Sequence, residues 1–193
     1  TYAIELVSED NNGTAALMRP LIGVDLKRFV RDYRRAHKPG RDLVALLQSV
    51  EYPANVGSIF RLADGAGVSE LVLTGITPTP PNATIDKVGR FKSLRIPWRY
   101  EADPVVAVEG LKASGYQIVA VELTDDAAPY HQFDYAQKVA LVVGHEDHGV
   151  TKATLAACDA AVFVPMYGKG LSLNVHVALA VVLYHIRHST PSN

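Results

Sequence analysis

Apolar residues recur along this chain in two rhythms, and their alternation sets the fold class. Leu26, Phe29, Val30 and Tyr33 fall at i, i+3, i+4 and i+7, the spacing that lines one face of a helix, so residues 25–36 are predicted helical. Asp25 suits the N-cap, Pro39-Gly40 the stop, and the opposite face carries Lys27, Arg31, Arg34 and Arg35. DLVALLQSV (42–50) is a nearly unbroken apolar run, as expected of a strand buried on both faces. Pro53 ends it, and Asn55 suits the cap of a helix whose stripe is Ile59, Leu62, Ala63 and Ala66. Arg61 lies opposite that stripe, beside Gly57, Asp64 and Gly65.

SELVLTG (69–75), YQIVAVEL (116–123), KVALVVG (138–144) and AAVFVPM (160–166) read as further strands. DPVVAVEGLKASG (103–115), TKATLAAC (151–158) and SLNVHVALAVVLYHIRH (172–188) read as helices, the last capped by Ser172. GITPTPPNAT is a Pro-rich loop, residues 86–99 give a mixed, partly helical signal, and STPSN (189–193) reads as a frayed tail. Strands alternating with helices give an α/β fold with a mainly parallel sheet flanked by helices. The organisation expected is an N-terminal extension over 1–41 with the basic amphipathic helix, one domain over 42–188, and a polar tail.

Composition narrows the function classes. Apolar content of 48% and charged content of 20% are ordinary for a globular protein. A single Cys158 rules out an internal disulfide and a Cys-only zinc site, which favours a reducing, cytoplasmic setting. The N-terminus shows no signal-peptide order, and polar residues interrupt the most apolar segment, so no membrane span is expected. The net charge is only −1, yet residues 1–100 hold 14 Lys+Arg against 10 Asp+Glu, and residues 101–193 hold 5 against 10. Residues 27–41 carry seven cations, and Lys87, Arg90, Lys92, Arg95 and Arg99 follow in a run without an acid. Positive charge concentrated on a near-neutral chain points to a polyanion partner, against the alternative of a solvated basic face.

Ligands of open α/β sheets bind at the carboxyl ends of the strands. Here those ends read LTG (73–75), ELTDDAAP (122–129), GHEDHGV (144–150) and PMYGKGLSLN (165–174), rich in glycine and short polar residues. No GxGxxG follows a strand, the phosphate-loop spacing fails at YGKGLS, and no GxSxG elbow exists. His145 and His148 stand at i, i+3 in a loop, which is not the HExxH pattern, and no metal is expected.

Three segments, NVGSIFRLADGAG (55–67), LVVGHEDHGV (141–150) and VFVPMYGKGLSLNVHVA (162–178), resemble in order and spacing the three motifs of the SpoU-type (TrmH-like) RNA ribose 2′-O-methyltransferases of the SPOUT superfamily. The resemblance covers the chain from about residue 43 to 187. It implies a C-terminal trefoil knot, a homodimer, and S-adenosylmethionine held by the backbone around Leu123, Thr124, Gly144, Val164, Met166 and Leu173. It implies catalytic or substrate-side roles for Asn55, Arg61, Glu146, Ser172 and Asn174. Two departures stand out: the family loop is close to G-N-E-G-x-G, whereas here His145, Glu146, Asp147 and His148 follow Gly144, with Asp147 at a glycine-like position, and His176 stands where the family has serine.

Transfer of a sulfonium methyl to a ribose hydroxyl needs alignment and help in losing the hydroxyl proton, and no metal. A guanidinium at Arg61 would favour the developing alkoxide and hold a neighbouring phosphate; its alternative is an exposed pair with Asp64 at i+3. Glu146 would orient Arg61 or the RNA, or be a solvated turn carboxylate. Lys27, Arg31, Arg34, Arg35, Arg90 and Lys92 would contact phosphates, and Tyr33 and Trp98 would stack on bases or pack in the core. The substrate expected is tRNA, with ribosomal RNA, including a resistance-type modification, as the nearest alternative. A knotted RNA-binding module without turnover is the alternative from another class.

Overall fold

The computed structural model describes residues 18–189. Residues 1–17, the first part of the predicted extension, and residues 190–193 of the tail lie outside the described residues. Backbone contacts divide the chain into two units, Thr1–Lys38 and Pro39–Asn193.

In the first unit, α1 (Gly23–Ala36) is the predicted amphipathic helix, and all its residues are exposed. It starts earlier than expected: Ile22 is the N-cap, and Asp25 sits inside the first turn. An acid there still faces the positive end of the helix dipole, which is why its sequence signal resembles a cap. His37 closes the helix by donating its backbone N–H to Tyr33 O, before Pro39 is reached. Tyr33 stacks on Phe29 and His37, with ring centroids 6.4 and 4.1 Å away.

The second unit runs β1 (Asp42–Gln48), α2 (Pro53–Ala66), β2 (Glu70–Thr74), α3 (Ala83–Gly89), a 3-10 turn (Lys92–Leu94), β3 (Trp98–Glu101), α4 (Pro104–Ala113), β4 (Gln117–Val121), β5 (Ala128–Pro129), β6 (Lys138–Val143), α5 (Lys152–Ala157), β7 (Ala160–Phe163) and α6 (Val175–His188). The seven strands form one sheet in the order β3-β2-β1-β6-β4-β7-β5, with every pair parallel. Central β1 shows why its run is unbroken. Leu43, Ala45 and Leu47 pack with α2 and α6 residues such as Ile59, Ala63, Leu179 and Leu183. Val44 and Leu46 pack on the other face with Ala107, Val108 and Leu111 of α4. Both faces are covered, so both parities are apolar.

The strands the sequence misses are the outermost ones. β3 mixes Arg99 and Glu101 with aromatics, and β5 has two residues, so neither shows the run of a central strand. Residues 86–99 therefore resolve into the end of α3, a 3-10 turn and β3, which explains their mixed signal.

Two arginines satisfy helix-end carbonyls that would otherwise lack donors. Arg41 is buried, and its guanidinium donates to Ile186 O and Ser189 O at 2.8 Å and to Tyr135 O at 3.2 Å. Arg187 donates to Ala66 O, Gly67 O and Arg41 O at 2.8, 2.9 and 2.7 Å. Arg41 is thus a structural clamp inside the basic run, and Ser189 is a held residue where a frayed tail was expected. Among the described residues, no helix is long and apolar enough to cross a membrane.

α2 and α3 touch backbone to backbone at Gly57. A Cβ there would lie 2.8 Å from Ile85 O and 3.1 Å from Gly89 N. Gly57→Ala should therefore lower stability by roughly 1–3 kcal/mol through overpacking, although alanine in an open helix position would gain about 0.5–1 kcal/mol. A lowered urea midpoint at unchanged slope is expected; a raised midpoint would show that α3 gives way freely.

Candidate functional site

Because β6 pairs with β1 in parallel register, the loop leaving β6 adjoins the start of α2 at the carboxyl end of the sheet. Glu146 in that loop accepts the N–H of Glu51 at 2.9 Å, the N–H of Tyr52 at 3.3 Å and Asn55 Nδ2 at 2.6 Å. A helix N-terminus offers unpaired N–H groups and a positive potential, so a carboxylate is held well there. Burial pushes the Glu146 carboxyl pKa up; the hydrogen bonds from Asn55 and from the backbone of Glu51, Glu146 itself and Tyr52 outweigh it and leave the pKa below the ordinary value.

Asn55 is not the helix cap the sequence suggested. α2 begins at Pro53 with Tyr52 as N-cap, and Asn55 is buried in the first turn. Its Oδ1 accepts Asn174 Nδ2 at 3.3 Å and lies 3.2 Å from His176 Nδ1, a contact that needs the proton on Nδ1. Burial holds the His176 pKa down, which favours the neutral ring. Asn174, not Ser172, caps α6, its Oδ1 accepting the N–H of His176 at 3.1 Å. Ser172 lies exposed in the preceding loop. Asn55, Glu146 and Asn174, one from each motif, are thus joined in one hydrogen-bonded chain with His176.

The loop 144–150 is closed by a pair of backbone hydrogen bonds between His145 and Gly149. A Cβ on Gly144 would lie 2.1 Å from Gly149 C, so glycine is required by the closure itself. Gly149 has φ +63°, and a Cβ there would strike Glu122. The Glu122 carboxylate accepts the N–H of Val150 at 2.9 Å and of Leu123 at 3.1 Å, tying the loop after β4 to the loop after β6. Sequence reasoning missed Glu122, because nothing local separates it from the acids that follow it.

β6, β4 and β7 are neighbours in the sheet, so Gly144, Leu123-Thr124 and Val164–Met166 leave it side by side. Leu123, Met166 and Leu173 are exposed there, while Val164 is half-buried against the core. Thr124 Oγ1 donates to Asp126 at 2.7 Å. Exposed apolar side chains on adjacent loops at the end of the sheet suit an adenosine and a methionine chain.

Arg61 is exposed on α2 and has no hydrogen bond or ion pair among the described residues. Asp64, its expected i+3 partner, instead holds Lys92 at 2.6 Å. Lys92, read from the sequence as a phosphate contact, is half-buried and already paired within the protein. Glu146 is committed to α2 and does not orient Arg61. The glycines flanking Arg61 serve packing: Gly57 admits α3, and a Cβ on Gly65 would lie 2.9 Å from Tyr184 Oη. Trp98 is a partly buried core residue, while Arg90 is exposed at the end of α3. On α1, Arg31 bonds Asp32 at 2.9 Å, and Lys27, Arg34 and Arg35 have no ion pair among the described residues.

Glu51, His145 and Asp147 present donor atoms within 4.8 Å of one another. Both imidazole nitrogens are already engaged: Nδ1 accepts the N–H of Asp147 at 3.0 Å, and Nε2 lies 3.3 Å from Glu51 Oε2.

Comparison with known proteins places this geometry. The model of the SpoU rRNA Methylase family matches residues 42–184. A tRNA (guanosine(18)-2′-O)-methyltransferase of Thermus thermophilus is 33% identical over 158 residues, 82% of this chain and 79% of its own. The 23S rRNA (guanosine(2553)-2′-O)-methyltransferase RlmP of Bacillus subtilis is 35% identical over 144 residues, 75% of this chain but 57% of its own. Among solved structures, an AdoMet-bound rRNA methyltransferase from Sinorhizobium meliloti superimposes with a TM-score of 0.71 at 29% identity, covering 78% of this chain and 57% of that one. A family match spanning β1 to α6, together with relatives above 30% identity over most of its length, makes this chain a member of the SpoU rRNA methylase family.

Proposed function

We propose that this chain transfers a methyl group from S-adenosylmethionine to a ribose 2′-hydroxyl of RNA. The observation that carries the reading is the hydrogen-bonded chain Glu146–Asn55–Asn174, which joins all three motifs at the carboxyl end of the sheet. Bound S-adenosylmethionine supplies the activated methyl group, and the residues suited to hold it are Leu123, Thr124, Gly144, Val164, Met166 and Leu173. Arg61, exposed and unpaired among the described residues, binds the phosphate beside the target and stabilises the negative charge that grows on the 2′-oxygen. Asn55, Glu146 and Asn174 fix the start of α2 and so the line of the helix that carries Arg61. Ser172, exposed before α6, is on the substrate side.

Within this reading residues 42–188 are the catalytic domain, and the cations of α1 and Arg90 grip RNA phosphates. A trefoil knot after β7 and a homodimer belong to the same reading, as does a cytoplasmic setting for an RNA enzyme with a free Cys158. The RNA is tRNA, the substrate named for the Thermus relative. Ribosomal RNA is the second reading, favoured by the 35% identity to the Bacillus protein named for 23S rRNA. The altered 145–148 loop motivates the rival of RNA binding without turnover.

Three outcomes follow. Arg61→Ala should cut methyl transfer by at least about a hundredfold, with S-adenosylmethionine affinity measured by calorimetry within about twofold; unchanged turnover would remove Arg61 from the chemistry. Arg34→Glu with Arg35→Glu should weaken RNA binding and flatten its salt dependence, which runs at about −0.7 per neutralised phosphate on single strands; an unmoved affinity would make α1 a solvated face. For Glu146, a folded pKa below the unfolded value of about 4.3 means its stabilisation is complete above that pH and is lost as pH falls through the lower folded value. Glu146→Gln should therefore lower the melting temperature at pH 7, with the gap to the wild type closing below about pH 4. A gap independent of pH would show that the charge does not matter.

A further inference from the structure

The turn Arg90-Phe91 is the least expected stretch of the backbone. Both residues are left-handed, at φ +50° and +57°, a region that side chains other than glycine's rarely adopt, least of all in succession. The strain is held in place at three points. The N–H of Phe91 donates to Asp86 O at 2.9 Å, Ser93 Oγ donates to Asp86 Oδ1 at 2.8 Å, and Lys92 pairs with Asp64 at 2.6 Å. The result is an aromatic ring turned outward. Phe91 is 61% exposed and Leu94 is 81% exposed, while Ile96 and Trp98 of the same segment pack toward the core. A strained backbone that fixes a large apolar side chain in water points to a binding role.

The place of this turn identifies what it meets. Gly57, Arg61 and Asp64 stand at i, i+4 and i+7, one stripe of α2. Gly57 touches Gly89, and Asp64 holds Lys92. The two residues between Gly89 and Lys92 are Arg90 and Phe91, so the turn is fastened on either side of Arg61. In the same stretch of chain, Lys87, Arg90 and Arg95 are exposed and have no ion pair among the described residues, and Asp86, the acid of this turn, is bonded to Ser93. An outward ring among free cations matches an unpaired nucleotide, whose base stacks while its phosphates meet the charges. A duplex offers no free base face.

We infer that Phe91 is a stacking platform for an unpaired RNA base adjoining the nucleotide that Arg61 addresses. This rests on the methyltransferase reading for the role of Arg61, but not for the stacking itself. It restricts the substrate to a loop, bulge or other single-stranded segment.

The test compares Phe91→Ala, Phe91→Trp and Phe91→Gly with the wild type, using a short fluorescein-labelled oligoadenylate and an RNA duplex of equal length. Phe91→Ala should weaken oligoadenylate binding about tenfold, in line with the loss of one base–aromatic stack, and leave the salt slope and duplex binding unchanged. Phe91→Trp should restore binding. Phe91→Gly, which relieves the left-handed strain, should keep or raise the melting temperature and still lose affinity. Unchanged affinity in Phe91→Ala while the wild type methylates RNA would overturn the platform and leave the enzyme reading intact. Ring-dependent binding in a wild type that transfers no methyl would do the reverse. A shift in oligomeric state in place of RNA affinity would make the turn a subunit contact and overturn the inference.

Discussion

The site depends on one carboxylate placed at one helix end. Glu146 leaves the sheet after β6 and fills the N-terminus of α2, where the N–H groups of Glu51 and Tyr52 have no partner within the helix. The same carboxylate takes Asn55 Nδ2, which leaves Asn55 Oδ1 aimed at Asn174 and His176 at the start of α6. One acid therefore fixes the mutual position of α2, the 144–150 loop and α6. Without it the N–H groups leading into α2 and the buried Asn55 amide would lose their shared acceptor, and the helix carrying Arg61 would lose its anchor.

The glycines follow from this arrangement. Gly144 and Gly149 let the loop close tightly enough to bring Glu146 across, and Glu122 locks the closed loop to the end of β4. Gly57 lets α3 approach α2, and the Lys92–Asp64 pair continues that contact one turn beyond Arg61. A glycine-rich motif that sequence inspection associates with a ligand is here largely a packing device, and the ligand-facing character falls to the exposed side chains between the contacts.

Much of this was legible in the sequence, and the failures share a cause. Central strands such as β1 announce themselves because both faces are buried, and α6 because Leu179, Val182, Leu183 and Ile186 repeat at helical spacing. β3 and β5 were missed because an edge strand lacks the apolar run, and the bonds of Arg41 and Lys92 could not be read because a cation's partner lies far away in sequence: Ile186 for one, Asp64 for the other. The residue types of the site were visible in three motifs, but their pairing was not. Asn55 looks like a cap, Ser172 looks like a cap, and only the fold shows that Tyr52 and Asn174 hold those positions. Exposed Phe91 drew no notice in a run read for its charges.

The reaction itself is tested most directly by where the methyl group goes. Labelled S-adenosylmethionine would be incubated with the protein and either bulk tRNA or ribosomal RNA, and the RNA then hydrolysed in alkali, which needs a free 2′-hydroxyl. The expected result is label confined to an alkali-resistant dinucleotide. Label recovered in a mononucleotide methylated on its base, or no transfer to tRNA or ribosomal RNA, would contradict ribose methylation.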